Sequence, residues 1–210
     1  MKLKYHGHAC FSMQFDCGAR IVCDPFDPSV TFAPCTVECD AAILSHNHFD
    51  HNYTASLCGD FETINAAGSF EVKDAKILSV PCFHDKEGGK LRGTNLVSII
   101  EADGLKVAHL GDLGHMPDEK LMAALAGVDI MMIPIGGTYT IDAEEAEELI
   151  RETKPRVAVA MHFRTPDFDI NITTCEAFKK DMMAASMPNE IEITEGNIAS
   201  FPPAIIMDYK

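Results

Sequence analysis

The sequence lacks the features that mark several classes of protein. No apolar run approaches the ~20 residues that a membrane-spanning helix needs, and the N-terminal segment has no long apolar core of a signal peptide. No two cysteines are spaced as C-x-x-C, which excludes a zinc ribbon and a thioredoxin motif. Low-complexity linkers and internal repeats are also absent. We therefore expect a single domain over residues 1–210 with no membrane segment.

Basic residues are scarce. There are 17 Lys and Arg against 32 Asp and Glu, which gives a formal net charge of -15. Such a surface repels nucleic acid backbones and anionic lipid head groups. The charge balance therefore favours a small-molecule substrate over nucleic acid as the partner. The sequence does not indicate an oligomeric state.

The eight cysteines do not indicate a disulfide framework. A chain of 210 residues that is 47% hydrophobic can stabilise itself through its core. Cys10, Cys23 and Cys82 lie in apolar runs, where cysteine behaves as a small hydrophobic residue. We expect reduced thiols and a cytoplasmic location.

Short apolar runs between turn residues predict strands at 2–5, 9–15, 20–23, 41–44, 76–80, 96–100, 106–110, 130–135 and 157–161. Capping-box patterns predict helices from Asp142 to Lys154 and from Thr173 to about Ser186. Further helices are predicted from Pro117 to near Gly127 and, as a short piece, over 52–58. Strands and helices interleaved in this way predict a layered α/β architecture.

Residues able to bind metal follow the ends of five predicted strands. They are Asp24, His46, His84, Asp112 and His162. A sheet can hold its strand ends rigidly while the loops beyond them shape a cleft. Several imidazoles and carboxylates delivered to one edge of a sheet would form a metal site.

The densest group of such residues is His46-x-His48-x-Asp50-His51. In a tight loop His46 and His48 can reach one ion, while Asp50 and His51 can reach a second. Two ligands leave each ion short of a full set, so residues distant in sequence must complete it. A histidine-rich surface loop that binds nothing is the alternative, and the other strand-end ligands count against it.

This pattern resembles the signature of the metallo-β-lactamase superfamily. Further segments resemble its small metal-dependent hydrolases related to ascorbate-6-phosphate lactonase: Gly7–Phe11 (GHACF), Asp24–Phe26 (DPF), Phe83–Asp85 (FHD), His109–His115 (HLGDLGH), Gly136–Thr140 (GGTYT) and Met161–Phe163 (MHF). The resemblance covers about residues 3–165. It implies an αββα sandwich, with two central mixed sheets flanked by helices and the metals at one edge.

The resemblance also implies a role for each ligand. His46, His48 and His84 go to the first metal, and Asp50, His51 and His162 go to the second. Asp112 bridges the two, and Asp50 and Asp112 are the catalytic carboxylates. Asp24 orients a ligand. A histidine rather than a glutamate at position 48 argues against the di-iron, oxygen-reducing branch.

Substrate contacts are less defined in the sequence. His8 either lines the cleft or packs behind it, and His115 either reaches substrate or belongs to the turn at Gly114. Lys86, Lys90 and Arg92 follow His84, and Arg164 follows His162. Basic residues beside ligands in so acidic a chain favour anion recognition, although each one taken singly fits a solvated loop slightly better. We predict that Arg92 or Arg164 contacts the substrate. His6 and His109 are predicted to be structural.

The predicted function is that of a metal-dependent hydrolase. Two divalent ions would share a bridging hydroxide that attacks a small anionic ester, lactone or phosphodiester. Zn²⁺ suits the imidazole-rich site, and Mn²⁺ is an alternative because three of the supporting groups are carboxylates and selectivity depends on which metal is available. A nuclease or cyclic-nucleotide phosphodiesterase, and a non-enzymatic metal-binding protein on the same fold, are the other interpretations.

Overall fold

The computed structural model describes residues 1–210 and contains fourteen strands and three α-helices. The strands are β1 (Lys2–Gly7), β2 (Cys10–Gln14), β3 (Arg20–Cys23), β4 (Ala41–Ile43), β5 (Glu62–Ile64), β6 (Gly68–Val72), β7 (Ala75–Phe83), β8 (Thr94–Ala102), β9 (Leu105–His109), β10 (Ile130–Pro134), β11 (Val157–Met161), β12 (Ala185–Met187), β13 (Glu190–Glu192) and β14 (Ala204–Met207). The helices are α1 (Glu119–Leu125), α2 (Ala143–Thr153) and α3 (Glu176–Asp181). Short 3-10 helices cover Pro28–Val30, Thr54–Ser56 and Ile198–Ser200.

The strands form two mixed sheets that share one core. The six-stranded sheet has the order β13-β1-β2-β3-β4-β5, and the eight-stranded sheet has the order β12-β14-β11-β10-β9-β8-β7-β6. Apolar side chains from both sheets, such as Phe11 and Ile21 from one and Val107 and Val159 from the other, belong to a single buried cluster. The predicted sandwich of two mixed sheets is therefore confirmed.

The outer faces of the sandwich are covered differently. Helices α1 and α2 contact β7 and β10 of the eight-stranded sheet. On the six-stranded sheet, Cys10 and Val22 instead pack against Phe26, Val30 and Phe32 from the loop that follows β3. None of the helices is long and apolar enough to cross a membrane.

The C-terminal stretch, to which the sequence assigned no motif, completes both sheets. Strands β12 and β14 pair in parallel and extend the eight-stranded sheet from β11. Strand β13 pairs antiparallel with β1 in the other sheet. The segment after residue 166 thus ties the two halves of the sandwich together.

Two of the predicted helices are confirmed and two are corrected. Asp142 and Glu145 form the predicted capping box of α2, and Asp118 caps α1. The helix predicted from Thr173 to about Ser186 is wrong in extent, because α3 ends at Asp181 and a strand follows. The Thr173 hydroxyl donates to the Gly136 carbonyl at 3.0 Å instead of capping a helix. The segment 52–58 contains only the 3-10 turn Thr54–Ser56.

Candidate metal centre

The topology brings the predicted ligands to one edge of each sheet. Strands β1, β3 and β4 run in the same direction in the six-stranded sheet, as do β7, β9 and β11 in the eight-stranded sheet. Residues with metal-binding side chains follow the carboxyl ends of these strands within three positions: His8, Asp24, His46, His84, Asp112 and His162. The main-chain N–H of His162 donates to the carbonyl of His8 at 2.7 Å, which joins the two edges.

The side chains at these edges form three groups whose candidate ligand atoms lie within 4.8 Å of one another. One group is His46, His48 and His84. A second is His8, Asp50, His51 and His162, and a third, composed of His46, His51 and Asp112, overlaps the other two. The structure therefore brings together all seven residues that the sequence nominated as ligands, and it adds His8.

Asp112 lies at the centre of these groups. Its Oδ2 is 3.2 Å from Nε2 of both His84 and His162, which belong to different groups. Its Oδ1 is 3.4 Å from Nε2 of His51. A single carboxylate thus faces imidazoles from both groups.

Buried atoms without hydrogen-bond partners test whether the site suits a metal. They are His8 Nδ1, His46 Nε2, His51 Nε2, His84 Nδ1, Asp112 Oδ1 and His162 Nδ1. Buried polar atoms are normally paired, so six unpaired atoms in one place need an explanation. Imidazole nitrogens and carboxylate oxygens are the donor atoms that zinc and similar divalent ions take in proteins. The residues present fit a divalent metal site.

The electrostatics of the site separate its imidazoles into two kinds. Burial lowers the pKa of His46 to about 3 and that of His8 to about 4, so both rings are neutral near pH 7. Burial also acts to lower the pKa of His51, but the carboxylates of Asp112 and Asp24 outweigh it and raise that pKa to about 10. Without a metal, His51 is therefore protonated and positively charged near pH 7, and its charge faces the same carboxylates as a bound cation would.

Buried polar residues behind the site fix the orientation of its ligands. Oδ2 of Asp24 accepts hydrogen bonds from Ser45 Oγ at 2.6 Å and from Nδ1 of His51 at 2.9 Å. Ser45 Oγ also lies 2.9 Å from Nδ1 of His46. Asn95 Oδ1 accepts a hydrogen bond from the main-chain N–H of Asp112 at 2.9 Å. Asp24 thus occupies the orienting position predicted for it, whereas Ser45 and Asn95, single polar residues in or after apolar strands, gave no signal in the sequence.

Three residues of the site have left-handed backbone conformations. The φ angles are 55° for His8, 47° for Asp24 and 52° for His162. Each such conformation costs a non-glycine residue roughly 1–3 kcal/mol, and such residues concentrate at functional sites. The strain turns each side chain towards the site directly where its strand ends.

A cavity of about 490 Å³ opens over the centre. His48, Asp50, His84, Asp112 and His162 line it from the metal-binding groups. Asn47, Phe49, Arg92, Tyr139, Phe168 and Ile170 form the rest of its lining. This volume lies within the range of small-molecule sites, which is roughly 300–1,000 Å³.

Of the predicted substrate residues, only Arg92 lines this cavity. Arg164 is absent from its lining and faces Asp169 at 3.9 Å, so of the two arginines predicted as alternatives for contact with the substrate, Arg92 is the one at the cavity. His115 is also absent from the lining. Its Nε2 accepts from the Phe83 N–H and its Nδ1 donates to the Met116 carbonyl, which supports the alternative that His115 belongs to the turn. His8 is buried behind the cavity, where its Nε2 lies 3.1 Å from Oδ2 of Asp50.

The remaining histidines and basic residues serve the scaffold. His6 Nε2 lies 2.8 Å from Ser12 Oγ, and His109 Nε2 lies 2.8 Å from the Ala9 carbonyl. Lys86 forms an ion pair with Glu145 at 2.5 Å, and Lys90 is exposed outside the cavity. The predicted cluster of basic residues around the substrate therefore reduces to one arginine.

Comparison with known proteins identifies the family. The model of the β-lactamase superfamily domain matches residues 2–162, which is most of the chain. The chain is a metal-dependent hydrolase of the metallo-β-lactamase superfamily. Metal-dependent hydrolases of Thermoplasma acidophilum and Thermococcus onnurineus are 30% and 31% identical to it, over 85% and 79% of this chain and 89% and 85% of theirs.

A solved structure agrees with this assignment. A candidate zinc-dependent hydrolase of this superfamily from Thermotoga maritima is 32% identical, with a TM-score of 0.83. The match covers 98% of this chain and 97% of that one. The fold of this metallo-β-lactamase superfamily member therefore extends to its C-terminal strands, beyond the residues that the family model matches.

Proposed function

We propose that this hydrolase binds two divalent ions and cleaves a small anionic ester, lactone or phosphodiester. The observation that carries the proposal is the position of Asp112 between two groups of ligands, within 3.4 Å of imidazoles from each. One ion would leave part of this set, with its buried unpaired atoms, unused.

The assignment of ligands follows the groups. His46, His48 and His84 would hold the first ion, and Asp50, His51 and His162 would hold the second, with His8 of that group placed behind Asp50 and Asp112 shared between the two sets. Bound at these positions, a pair of divalent ions supplies an activated water and polarises the scissile group. Zinc is the proposed ion because imidazoles outnumber carboxylates among the ligands, and manganese is the rival.

The protein's own residues position this chemistry. Asp24 and Ser45 fix the rings of His51 and His46 from behind. Nε2 of His8 lies 3.1 Å from Oδ2 of Asp50, the oxygen that also lies 3.8 Å from Nε2 of His51, and so positions this carboxylate from the buried side. Because these partners are rigid and buried, the ligands need little rearrangement when ions or substrate bind.

The dimensions and charge of the cavity support a small substrate. Its volume suits a small molecule, and Arg92 is the one basic side chain in its lining. Nucleic acid binding depends on several cationic contacts to phosphates, which a chain of net charge -15 does not supply here. The structure therefore favours this proposal over a nuclease.

Metal analysis of Asp112→Asn tests the proposal. Asparagine keeps the shape of the bridge but lacks the charge that attracts both ions, so we expect fewer than two ions per chain. We also expect Asp112→Asn to hydrolyse whichever lactone, thioester or phosphodiester the wild type cleaves at least ~100-fold more slowly. Asp60→Asn, at an exposed position, is the control. Wild-type metal content and activity in Asp112→Asn would contradict the bridging role.

A further inference from the structure

The five arginines of the chain differ in their partners. Four lie within 4.0 Å of a carboxylate: Arg20 of Glu38 and Asp40, Arg151 of Glu147, Arg156 of Asp129 and Arg164 of Asp169. Arg92 has no carboxylate within that distance, in a chain where acidic residues outnumber basic ones by 32 to 17. Its guanidinium group is therefore the one that stays available to an external anion.

The position of Arg92 is fixed by the loop that carries it. Oδ2 of Asp85 accepts the main-chain N–H of Arg92 at 2.8 Å, and the N–H of His84 donates to the Gly93 carbonyl at 3.1 Å. The guanidinium carbon lies 5.2 Å from the centre of the Tyr139 ring, in cation–π contact. The cation is thus presented at the end of the cavity where His84 lies.

Apolar side chains also line the cavity, on the side of the ligand group that contains His8. Phe168 lies 5.2 Å from the His8 ring, centre to centre, and it lines the cavity together with Ile170. Phe49, between His48 and Asp50, is 58% exposed on the same cavity. Phe49, Phe168 and Ile170 together give the cavity an apolar surface that a hydrophobic group of a ligand can cover.

From this polarity we propose that the substrate is an anion with two distinct ends. Its carboxylate or phosphate group binds Arg92 beside Tyr139, and an aromatic or bulky alkyl group packs against Phe49, Phe168 and Ile170. The scissile group then lies between them, over Asp112. This inference rests on the proposed hydrolase function and adds the class of substrate to it.

Binding of amides that resemble the substrate tests the inference without turnover. N-benzylglutaramate carries both a carboxylate and a phenyl group. N-methylglutaramate lacks the phenyl group, and N-benzylpentanamide lacks the carboxylate. Titration calorimetry on the metal-loaded enzyme should show N-benzylglutaramate binding at least ~10-fold more tightly than either of the others, which corresponds to ~1.4 kcal/mol.

Variants at each end of the cavity assign the two contributions. In Arg92→Gln, N-benzylglutaramate should bind no more tightly than N-benzylpentanamide, which lacks the carboxylate. Arg164→Gln, which replaces an arginine outside the cavity, should keep the wild-type difference in affinity between these two amides. Phe49→Ala should reduce the difference in affinity between N-benzylglutaramate and N-methylglutaramate, and Phe49→Leu should retain part of that difference. Equal binding of the three amides, the same effect for both arginine variants, or no binding at millimolar concentration would overturn the inference.

The corresponding esters separate this inference from the hydrolase proposal. If the enzyme binds the amides in the expected order but cleaves neither monobenzyl glutarate nor any other ester, lactone or phosphodiester, the hydrolase proposal fails and the binding preference stands. If it cleaves charged and neutral benzyl esters with equal kcat/KM, the hydrolase proposal stands and the two-ended substrate is excluded.

Discussion

Oδ2 of Asp24 lies 2.9 Å from Nδ1 of His51, and neither side chain is exposed to solvent. This contact orients the His51 ring so that its Nε2 faces Asp112 at 3.4 Å. A carboxylate behind a histidine ligand both orients the ring and makes it a stronger donor. Asp24 follows β3 of one sheet and Asp112 follows β9 of the other, so the contact links both sheets to the proposed metal site.

Replacing Asp24 with asparagine should weaken binding of the second ion. Asn tolerates the left-handed backbone at this position, so the fold should survive. Loss of the charge should lower metal affinity ~10–100-fold, measured by competition with a chromophoric chelator. Asp74→Asn, an exposed change of the same kind, should leave the affinity unaltered. An unchanged affinity in Asp24→Asn would show that Asp24 does not act through His51.

The protonation of His51 predicts a pH dependence of metal binding. Because the pKa of His51 is raised to about 10 in the metal-free protein, an ion that takes Nε2 at pH 7 must displace a proton. Metal affinity should therefore rise with pH between pH 6 and pH 9. Calorimetry in two buffers of different ionisation enthalpy should detect about one proton released per chain. If no proton is released, the ion does not displace a proton from His51.

Gly111 should not tolerate a side chain. Its φ is 52°, and a Cβ there would lie 2.4 Å from Cβ of Ser45. Gly127 has a φ of 73° and open space around it, so Gly127→Ala measures the backbone strain alone. We expect Gly111→Ala to lower the free energy of unfolding by about 1–3 kcal/mol more than Gly127→Ala, through overpacking. Equal losses in urea denaturation would contradict the close packing of this turn.

Asp85 should control the loop that carries Arg92. Burial acts to raise the pKa of Asp85, but hydrogen bonds from the main-chain N–H groups of Arg92, Gly89, Glu87 and Leu91 lower it to about 2. Asp85→Asn replaces one accepting oxygen with an amide that faces N–H donors. We expect a lower urea midpoint and a higher KM for an anionic substrate.

The sign of the pH effect follows from the lowered pKa. A carboxylate whose pKa is lower in the folded state contributes stability above its unfolded pKa, and this contribution is lost as the pH falls towards the folded value. The difference in urea midpoint between wild type and Asp85→Asn should therefore be full at pH 6 and shrink between pH 4 and pH 2. A difference that is the same at pH 6 and pH 3 would exclude the charge as its cause.

Much of the fold and the site could be predicted because ligands and apolar runs alternate along the chain. The strands that end before Asp24 and His162 were predicted with their observed bounds, since buried β-branched runs are distinctive. Strands β5 and β6 were missed, because their exposed polar positions dilute the apolar pattern. The helix predicted after Thr173 failed because tertiary contacts to Gly136 use the residue that the local pattern assigns to a cap.

The surroundings of the site were harder to predict because they depend on distances across the fold. Sequence proximity placed Arg164 beside His162, but the side chain turns to Asp169. His115 was a candidate for contact with the substrate in the sequence, but both of its ring nitrogens form hydrogen bonds with the main chain. Tyr139 and Phe168 reach the cavity from loops far from the histidine motif. Tyr139 belongs to the Gly136–Thr140 segment that resembles the family, but neither residue was predicted to line the cavity.

The number of ions bound per chain tests the central claim most directly. Elemental analysis of protein reconstituted with zinc or manganese should find close to two ions per chain in the wild type. His48→Ala and His162→Ala each remove one ligand, from different groups, so each variant should retain about one ion, and the double variant should retain none. A wild-type protein that binds no metal or a single ion, or single variants that keep both ions, would contradict a dinuclear centre.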